Sequence, residues 1–95
     1  MFARITRYKM RPGTREEAVA KLESMRAQIM ALPGSVQLMN AANEDGSGYV
    51  VAINESQEQS EANLPAVQKI WENFAEFLEE PPMPEGFDVV VDWMK

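Results

Sequence analysis

The chain has 95 residues, 45% of them hydrophobic, which is enough for one core and predicts a single domain over residues 1–95. It contains no cysteine and no histidine. Disulfides, thiol nucleophiles, Ser-His-Asp triads and the usual zinc or haem ligands are therefore excluded within the chain. The net charge of -6 argues against nucleic acid or an anionic membrane as the main partner.

Two further features concern location and charge. No apolar run approaches the roughly 20 residues that span a bilayer, and residues 1–12 lack the apolar core of a signal peptide. With the absence of cysteine, this favours a cytoplasmic protein. Seven of the nine basic residues lie within residues 1–27, so we expect this basic half to pair with the acidic remainder, or else to form a binding face.

The first predicted elements are a strand and a helix. Residues 2–10 alternate in polarity, as a β-strand does, and Arg11-Pro12-Gly13 ends the run. Thr14 and Glu17 form a T-x-x-E pattern that predicts a capping box at a helix start. Apolar residues then recur at spacings of three and four, and Leu32-Pro33-Gly34 ends the helix. These residues are Ala18, Leu22, Met25, Ile29 and Leu32.

A hairpin follows this helix. Residues 35–42 predict a second strand, Asp45-Gly46 is typical of a hairpin turn, and residues 49–53 predict a third strand. All five residues of the third strand are apolar or aromatic, as in strands that are buried on both faces.

The last predicted elements are a second helical region and a fourth strand. Ser56 and Gln59 suggest another capping box before a short helix, and Pro65 suits the first turn of a restarted helix. Prolines 81, 82 and 84 are expected to end that helix, and residues 86–94 predict the last strand. The restarted helix carries a wide apolar stripe of Val67, Ile70, Trp71, Phe74, Phe77 and Leu78.

This order of elements predicts an α+β fold, the ferredoxin-like βαββαβ sandwich with a four-stranded antiparallel sheet. The first strand is then central, between the third and the fourth, and both helices cover one face of the sheet. The other face is also apolar and needs a cover. We expect a second copy of the chain to supply it, giving a homodimer with facing sheets and a barrel-like cavity between them.

The sequence resembles a known family over nearly its whole length. The resemblance rests on the segment Tyr8–Gly13 (YKMRPG) followed by Glu16-Glu17, on Leu32-Pro33-Gly34 before the second strand, and on residues 56–65 leading into Trp71. These features are similar to the antibiotic biosynthesis monooxygenase-type dimeric α/β barrels. The resemblance implies a dimeric α/β barrel. Its members include cofactor-independent oxygenases of polyketide-like aromatics and haem-degrading enzymes.

The resemblance has specific implications for cofactors and site residues. Haem-degrading members use a histidine ligand, which this chain lacks, so we expect neither haem degradation nor any other cofactor, and no metal site. The oxygenase members use asparagine, tryptophan, tyrosine and arginine in their cavity. Trp71 matches the family's helix tryptophan, whereas no asparagine, tyrosine and arginine set of this sequence matches the family at the right spacing. From the predicted cavity together with the resemblance, Arg4, Tyr8 and Trp71 are candidate catalytic residues, and Thr6 and Asn40 are candidate ligand-binding residues.

Each candidate also has a structural interpretation. Arg4, Thr6 and Tyr8 share one face of the first strand, where Arg4 suits an anionic or phenolate oxygen and Tyr8 suits a carbonyl. Alternatively, Asp88 and Asp92 of the neighbouring strand pair with Arg4 or Arg7. Trp71 has neighbours typical of a core residue. Asn40 either reaches a ligand or marks the exposed end of its strand.

Two functions remain open at this point. The first is a cofactor-independent monooxygenase acting on a small electron-rich aromatic of the phenol or quinol type, within a cavity of the dimer. The second is a non-catalytic dimeric module that binds a small apolar or aromatic ligand or serves a structural role. An inward-facing arginine and tyrosine favour chemistry, whereas a cavity filled by methionine and valine favours structure.

Overall fold

A computed structural model describes residues 1–95 and contains one four-stranded sheet with helices on one of its faces. The strands are β1 (Phe2–Lys9), β2 (Ser35–Ala42), β3 (Ser47–Asn54) and β4 (Met83–Asp88). The helices are α1 (Arg15–Ser24), α2 (Arg26–Met30), α3 (Gln57–Ala62) and α4 (Leu64–Glu72), followed by a 3-10 turn at Ala75–Phe77. The ferredoxin-like α+β fold predicted from the sequence is confirmed.

The strands are arranged in the order β2-β3-β1-β4, and every neighbouring pair is antiparallel. β1 is central, as predicted, with Thr6 opposite Val50 on one side and Pro84 on the other. Because β1 is paired on both sides, its backbone is committed to the sheet. Only its side chains are free to build a site.

The helices pack against the face of the sheet that carries the even-numbered residues of β1. Thr6, Tyr8 and Met10 are buried on this face. Tyr8 and Met10 form the centre of the hydrophobic core with Ala18 of α1 and the pair Phe74 and Phe77 after α4. The core is therefore concentrated at the carboxyl end of β1.

The first helical region differs from its prediction. Thr14 makes no side-chain cap, because its hydroxyl donates to the carbonyl oxygen of Arg11, so the predicted capping box with Glu17 is wrong. The helix is also interrupted at Met25, whose N–H bonds to Leu22 in a tightened turn. The predicted apolar stripe is consequently divided between α1 and α2.

The second helical region largely follows its prediction. The Ser56 hydroxyl accepts a hydrogen bond from the Gln59 N–H at 3.2 Å, capping α3. Pro65 lies in the first turn of α4, where its missing N–H costs nothing. However, α4 ends at Glu72 in a tightened turn, before the prolines that were expected to end it.

The fourth strand is shifted toward the amino terminus relative to the predicted residues 86–94. β4 covers Met83–Asp88, and residues 89–95 have no regular structure. Its partner β1 begins at Phe2, and the Val89 N–H already bonds to the Met1 carbonyl oxygen, so no further residue of β1 is available for pairing. Pro84 is tolerated because β4 is an edge strand, where a residue without an N–H need not interrupt the hydrogen bonds of the sheet.

Ion pairs join the basic amino-terminal region to acidic residues later in the chain, as predicted. Lys9 pairs with Asp45, Arg15 with Glu44, and Lys21 with Glu76. None of the helices is long and apolar enough to cross a membrane.

The alternative pairing of Arg4 or Arg7 with Asp88 or Asp92 does not form. Gly86 lies opposite Arg4 in the register, and Asp92 lies beyond the end of β4. The Arg7 side chain instead contacts Met83 Sδ at 3.0 Å on the other face of the sheet.

That other face, which we call the open face, is apolar and uncovered within the chain, as the sequence predicted. Its exposed side chains include Met39, Tyr49, Met83 and Phe87, each with 46–55% of its surface accessible. Val90 and Met94, which belong to the predicted strand 86–94, lie after β4 and are 88% and 86% exposed.

The two helix starts supply a matched test of the fold. Ser56→Ala removes a formed cap and should lower the free energy of unfolding by about 1 kcal/mol. Thr14→Ala removes no cap and should have a clearly smaller effect. Urea unfolding followed by circular dichroism measures both, and equal losses would contradict the two assigned starts.

Candidate functional site

A cavity of about 130 Å³ lies between the helices and the sheet of a single chain. It lies on the opposite side of the sheet from the barrel-like cavity predicted between two chains, which stays a prediction. Small side chains explain its presence, because Ala42 and Ala52 of the sheet and Ala18 of α1 leave the space between the layers unfilled. Most of its lining is hydrophobic.

All five candidate residues predicted from the sequence line this cavity. Arg4, Thr6 and Tyr8 come from alternate positions of β1, which direct their side chains to the same face. Asn40 comes from edge strand β2 and Trp71 from α4. The sheet pairing and the packing of α4 thus bring together residues that are far apart in the sequence.

Tyr8, Asn40 and Trp71 form a cluster at one end of the cavity, which we call the tyrosine end. The Tyr8 hydroxyl donates to Asn40 Oδ1 at 2.6 Å, and the Tyr8 and Trp71 ring centroids are 5.9 Å apart at a tilt of 54°. Tyr8 reaches β2 by crossing over Gly48 of β3. A Cβ atom at Gly48 would lie 2.5 Å from the Tyr8 oxygen, so this position requires glycine.

Burial raises the pKa of the Tyr8 phenol above its ordinary value of 10, because the charged phenolate loses solvation there. Tyr8 is therefore a neutral phenol near pH 7. It serves as a hydrogen-bonding group at that pH, and its anion is not available as a base.

The direction of the Tyr8 hydrogen bond changes the role expected from the sequence. Because the hydroxyl proton is donated to Asn40, Tyr8 presents its oxygen as an acceptor instead of donating to a ligand carbonyl. The Asn40 side-chain NH₂ has no partner within the chain and is the available donor. Asn40 is exposed at the rim of the cavity, which agrees with the exposed strand position expected from the sequence, and its contact with a ligand stays a prediction.

Arg4 defines the second polar region of the cavity, which we call the arginine end. Its Nε donates to Ser60 Oγ at 3.1 Å, and its guanidinium carbon lies 5.6 Å from the Phe2 ring centroid. The Phe2 ring in turn lies over Gly86, where any Cβ atom would collide with it. Arg4 is the one charged side chain in the lining, and no carboxylate pairs with it.

Two polar residues at the arginine end were missed by sequence reasoning. Ser60 of α3 is only 3% exposed, and Asn54 at the end of β3 is 8% exposed. Both line the cavity. Polar residues are common at strand ends and in the first turns of helices, so the sequence around Ser60 gave no indication of a site. For Asn54, the only indication was that a polar residue directly follows an apolar strand.

The lining contains no carboxylate and, in a chain without histidine, no imidazole, so it offers no ordinary general base. It also does not fit haem. Tyr8 and Met10 are the cavity's only side chains of a type that ligates haem iron, and Tyr8 is a protonated phenol bound to Asn40. The enclosed volume is close to that of a site that holds a single benzene ring, and the cavity is open to solvent at the exposed Asn40 rim, where part of a longer ligand can lie.

Comparison with solved structures shows the same fold in two monooxygenases and a haem-degrader. An antibiotic biosynthesis monooxygenase superposes with a TM-score of 0.75 at 7% identity, covering 96% of this chain and 100% of the other. A Streptomyces coelicolor monooxygenase in complex with nanaomycin D gives 0.76 at 17% identity, with coverages of 99% and 91%. The haem-degrader MhuD of Mycobacterium tuberculosis, with two haems in its active site, gives 0.77 at 18% identity, with coverages of 99% and 100%.

These comparisons define the class of the protein by its fold. The chain has the fold of the antibiotic biosynthesis monooxygenases, which confirms the resemblance seen in the sequence. No protein-family model matches the sequence, and no curated protein matches it. At these identities the likeness extends to the fold and not to a substrate.

The raised pKa of Tyr8 can be measured directly because the chain has only two tyrosines. In the variant Tyr49→Phe, ultraviolet titration of tyrosinate should report Tyr8 alone, with a midpoint above 10. Since the folded state holds this proton more tightly than the unfolded state, its stabilising contribution is complete below pH 10 and is lost as pH rises through the folded pKa. A midpoint at or below 10 would contradict the buried, neutral assignment.

Proposed function

We propose that the protein is a cofactor-independent monooxygenase acting on a small electron-rich aromatic of the phenol or quinol type. The observation that carries the proposal is the meeting of Arg4, Tyr8 and Trp71 in one mainly apolar cavity. The monooxygenases that share the fold support it. The cytoplasmic location remains a prediction from the sequence.

The proposed reaction is driven by the substrate. An electron-rich phenol with an unsubstituted ring carbon beside or opposite its hydroxyl loses its proton to solvent and reacts with dioxygen at that carbon. A carbon–oxygen bond forms, the carbon–hydrogen and oxygen–oxygen bonds break, and the second oxygen atom leaves as water. A phenol and one dioxygen thus give a quinone and one water, and the substrate supplies all the electrons.

The protein's part is to position the substrate and stabilise its negative charge. The Asn40 NH₂ donates to the phenolate oxygen, and the Tyr8 oxygen accepts from the neutral phenol before it ionises. Trp71 provides an aromatic wall beside Tyr8. Arg4 supplies the positive charge that favours an anionic ligand.

A non-catalytic small-ligand-binding module is the second candidate. It is favoured by the lining's lack of any carboxylate or imidazole to accept the substrate proton. However, an arginine and a tyrosine face the cavity. This arrangement was expected to favour catalysis, so it argues against the ligand-binding module. The two candidates differ in whether a bound phenol consumes oxygen.

Oxygen uptake tests the proposed activity. The purified protein is assayed with hydroquinone, 1-naphthol and anthrone, with ¹⁸O₂ incorporation into the quinone followed by mass spectrometry. We expect turnover above the rate in buffer for at least one of them. Rates equal to buffer, despite measurable binding, would eliminate the monooxygenase and leave the ligand-binding module.

Variants on the two faces of β1 show whether this activity comes from the cavity. Arg4→Gln should lower kcat/KM by about tenfold, because it removes the cavity's positive charge, which favours the ionised form of the phenol. Arg7→Gln is the matched control, since Arg7 lies on the open face of the same strand. Equal losses in both variants would place the activity outside the cavity.

We also propose that the protein is a homodimer joined through the open faces of its sheets. Met39, Tyr49, Met83 and Phe87 leave that face apolar and accessible. No other element of the chain covers it, and a twofold arrangement buries the same surface on both copies. The cavity lies on the opposite face of the sheet, so each chain carries its own candidate site.

Light scattering on a sizing column tests the dimer. We expect about twice the 10.7 kDa mass of one chain. Phe87→Glu places a charge on the open face and should shift the mass toward one chain, whereas Glu58→Gln on exposed α3 should leave it unchanged. A wild-type monomer at micromolar concentration would overturn the dimer while leaving the cavity intact.

A further inference from the structure

The cavity has two polar ends that are separated along β1. Arg4 and Tyr8 occupy the same face of this strand, four positions apart. At the rise of an extended strand, their Cα atoms are about 13 Å apart. Thr6, which is only 5% exposed, lies between them.

This separation limits what a single small ligand can contact. A hydroquinone is shorter than this backbone separation, and with one oxygen at Tyr8 and Asn40 it leaves part of the cavity toward Arg4 unfilled. A longer ligand with polar groups at both ends can engage both. The wall between the ends includes Val50 and Ala52, so the middle of that ligand is apolar.

The arginine end has a specific requirement for negative charge. Arg4 uses its Nε for Ser60, while its two terminal nitrogens make no hydrogen bond within the chain and face no carboxylate. Arg4 is only half-buried and its terminal nitrogens remain accessible, so an anion can reach them and replace water as their partner. The terminal nitrogens of a guanidinium match the two oxygens of a carboxylate.

Ser60 strengthens this end of the site. Its oxygen accepts from Arg4 Nε, so its hydroxyl hydrogen remains available to donate to an anion. Asn54 lines the same end and makes no side-chain hydrogen bond. The Phe2 ring beside the guanidinium holds Arg4 toward the sheet. Together these groups form a carboxylate-binding subsite that is already built in the folded chain.

We propose that the ligand is an aryl carboxylate with a phenolic hydroxyl at its far end. The carboxylate binds the terminal nitrogens of Arg4 and the Ser60 hydroxyl, and the phenolic oxygen meets Tyr8 and Asn40. This proposal rests on the proposed function for the chemistry at the phenol and defines its substrate class. The binding subsite itself is independent of whether the ligand reacts.

Matched ligands test the charge requirement under anaerobic conditions, where no turnover occurs. Binding of 4-hydroxycinnamate is compared with that of its neutral amide, 4-hydroxycinnamamide, by titration calorimetry. We expect the acid to bind at least tenfold more tightly. Arg4→Gln should abolish this preference, and the matched control Arg7→Gln should retain it. Equal binding of acid and amide to the wild-type protein overturns the proposal.

Two further ligands test the length requirement. Cinnamate lacks the phenolic hydroxyl, and 4-hydroxybenzoate keeps both groups at a shorter separation. Both should bind more weakly than 4-hydroxycinnamate, and Tyr8→Phe should narrow the difference between 4-hydroxycinnamate and cinnamate. If 4-hydroxybenzoate binds as tightly as the longer acid, a ligand spanning both ends is ruled out.

The binding and oxygen-uptake experiments distinguish failure of the carboxylate subsite from failure of the proposed monooxygenase. Thermal unfolding of each variant shows whether it folds. If Arg4→Gln does not fold, Arg4→Lys replaces it, and this variant should retain preference for the acid but bind it less tightly than arginine does. Selective acid binding without oxygen uptake by any phenol removes the proposed monooxygenase and keeps the subsite. Oxygen uptake without selective binding of the acid removes the carboxylate subsite and keeps the proposed monooxygenase.

Discussion

The central position of β1 is the constraint on which the rest of the structure depends. With β3 on one side and β4 on the other, the strand's backbone is committed to pairing, and its alternate side chains are divided between two environments. Arg4, Thr6 and Tyr8 face the helices, while Arg7 faces outward. The same strand therefore builds the cavity and contributes to the open face, and neither surface can be changed by a register shift without disturbing the other.

Small residues convert this arrangement into a site. Gly48 lets the Tyr8 ring cross β3 to reach Asn40, and Gly86 lets the Phe2 ring lie beside Arg4. Alanines in both layers leave the space between them open. At both ends of the cavity, an aromatic side chain packs over a glycine of the neighbouring strand. This packing positions the Tyr8 hydroxyl at one end and Arg4 at the other, without a loop to hold them. This accounts for a polar, preorganised site on regular strands in so short a chain.

The charges and hydrogen-bonding groups of the cavity limit the kind of ligand it can bind more than the fold does. Proteins with this fold include a monooxygenase solved with nanaomycin D and a haem-degrader, so the fold alone does not choose among ligands. Here a neutral tyrosine, an asparagine donor and one unpaired arginine line a mainly apolar space. Because no side chain in the lining can act as a strong base, we propose an aromatic anion whose own reactivity drives the reaction as the ligand of this site.

The sequence by itself determined the order of elements, the central first strand and the uncovered apolar face, because hydrophobic periodicity and turn residues act locally. It also placed Arg4, Thr6 and Tyr8 on one face, since strand alternation is a local rule. Tertiary structure decided the rest. The end of β4 depends on where its partner β1 begins, and the failed Thr14 cap depends on a competing carbonyl. The position of the cavity, the Tyr8–Asn40 bond and the solitary charge of Arg4 depend on packing between distant segments, which no local pattern records.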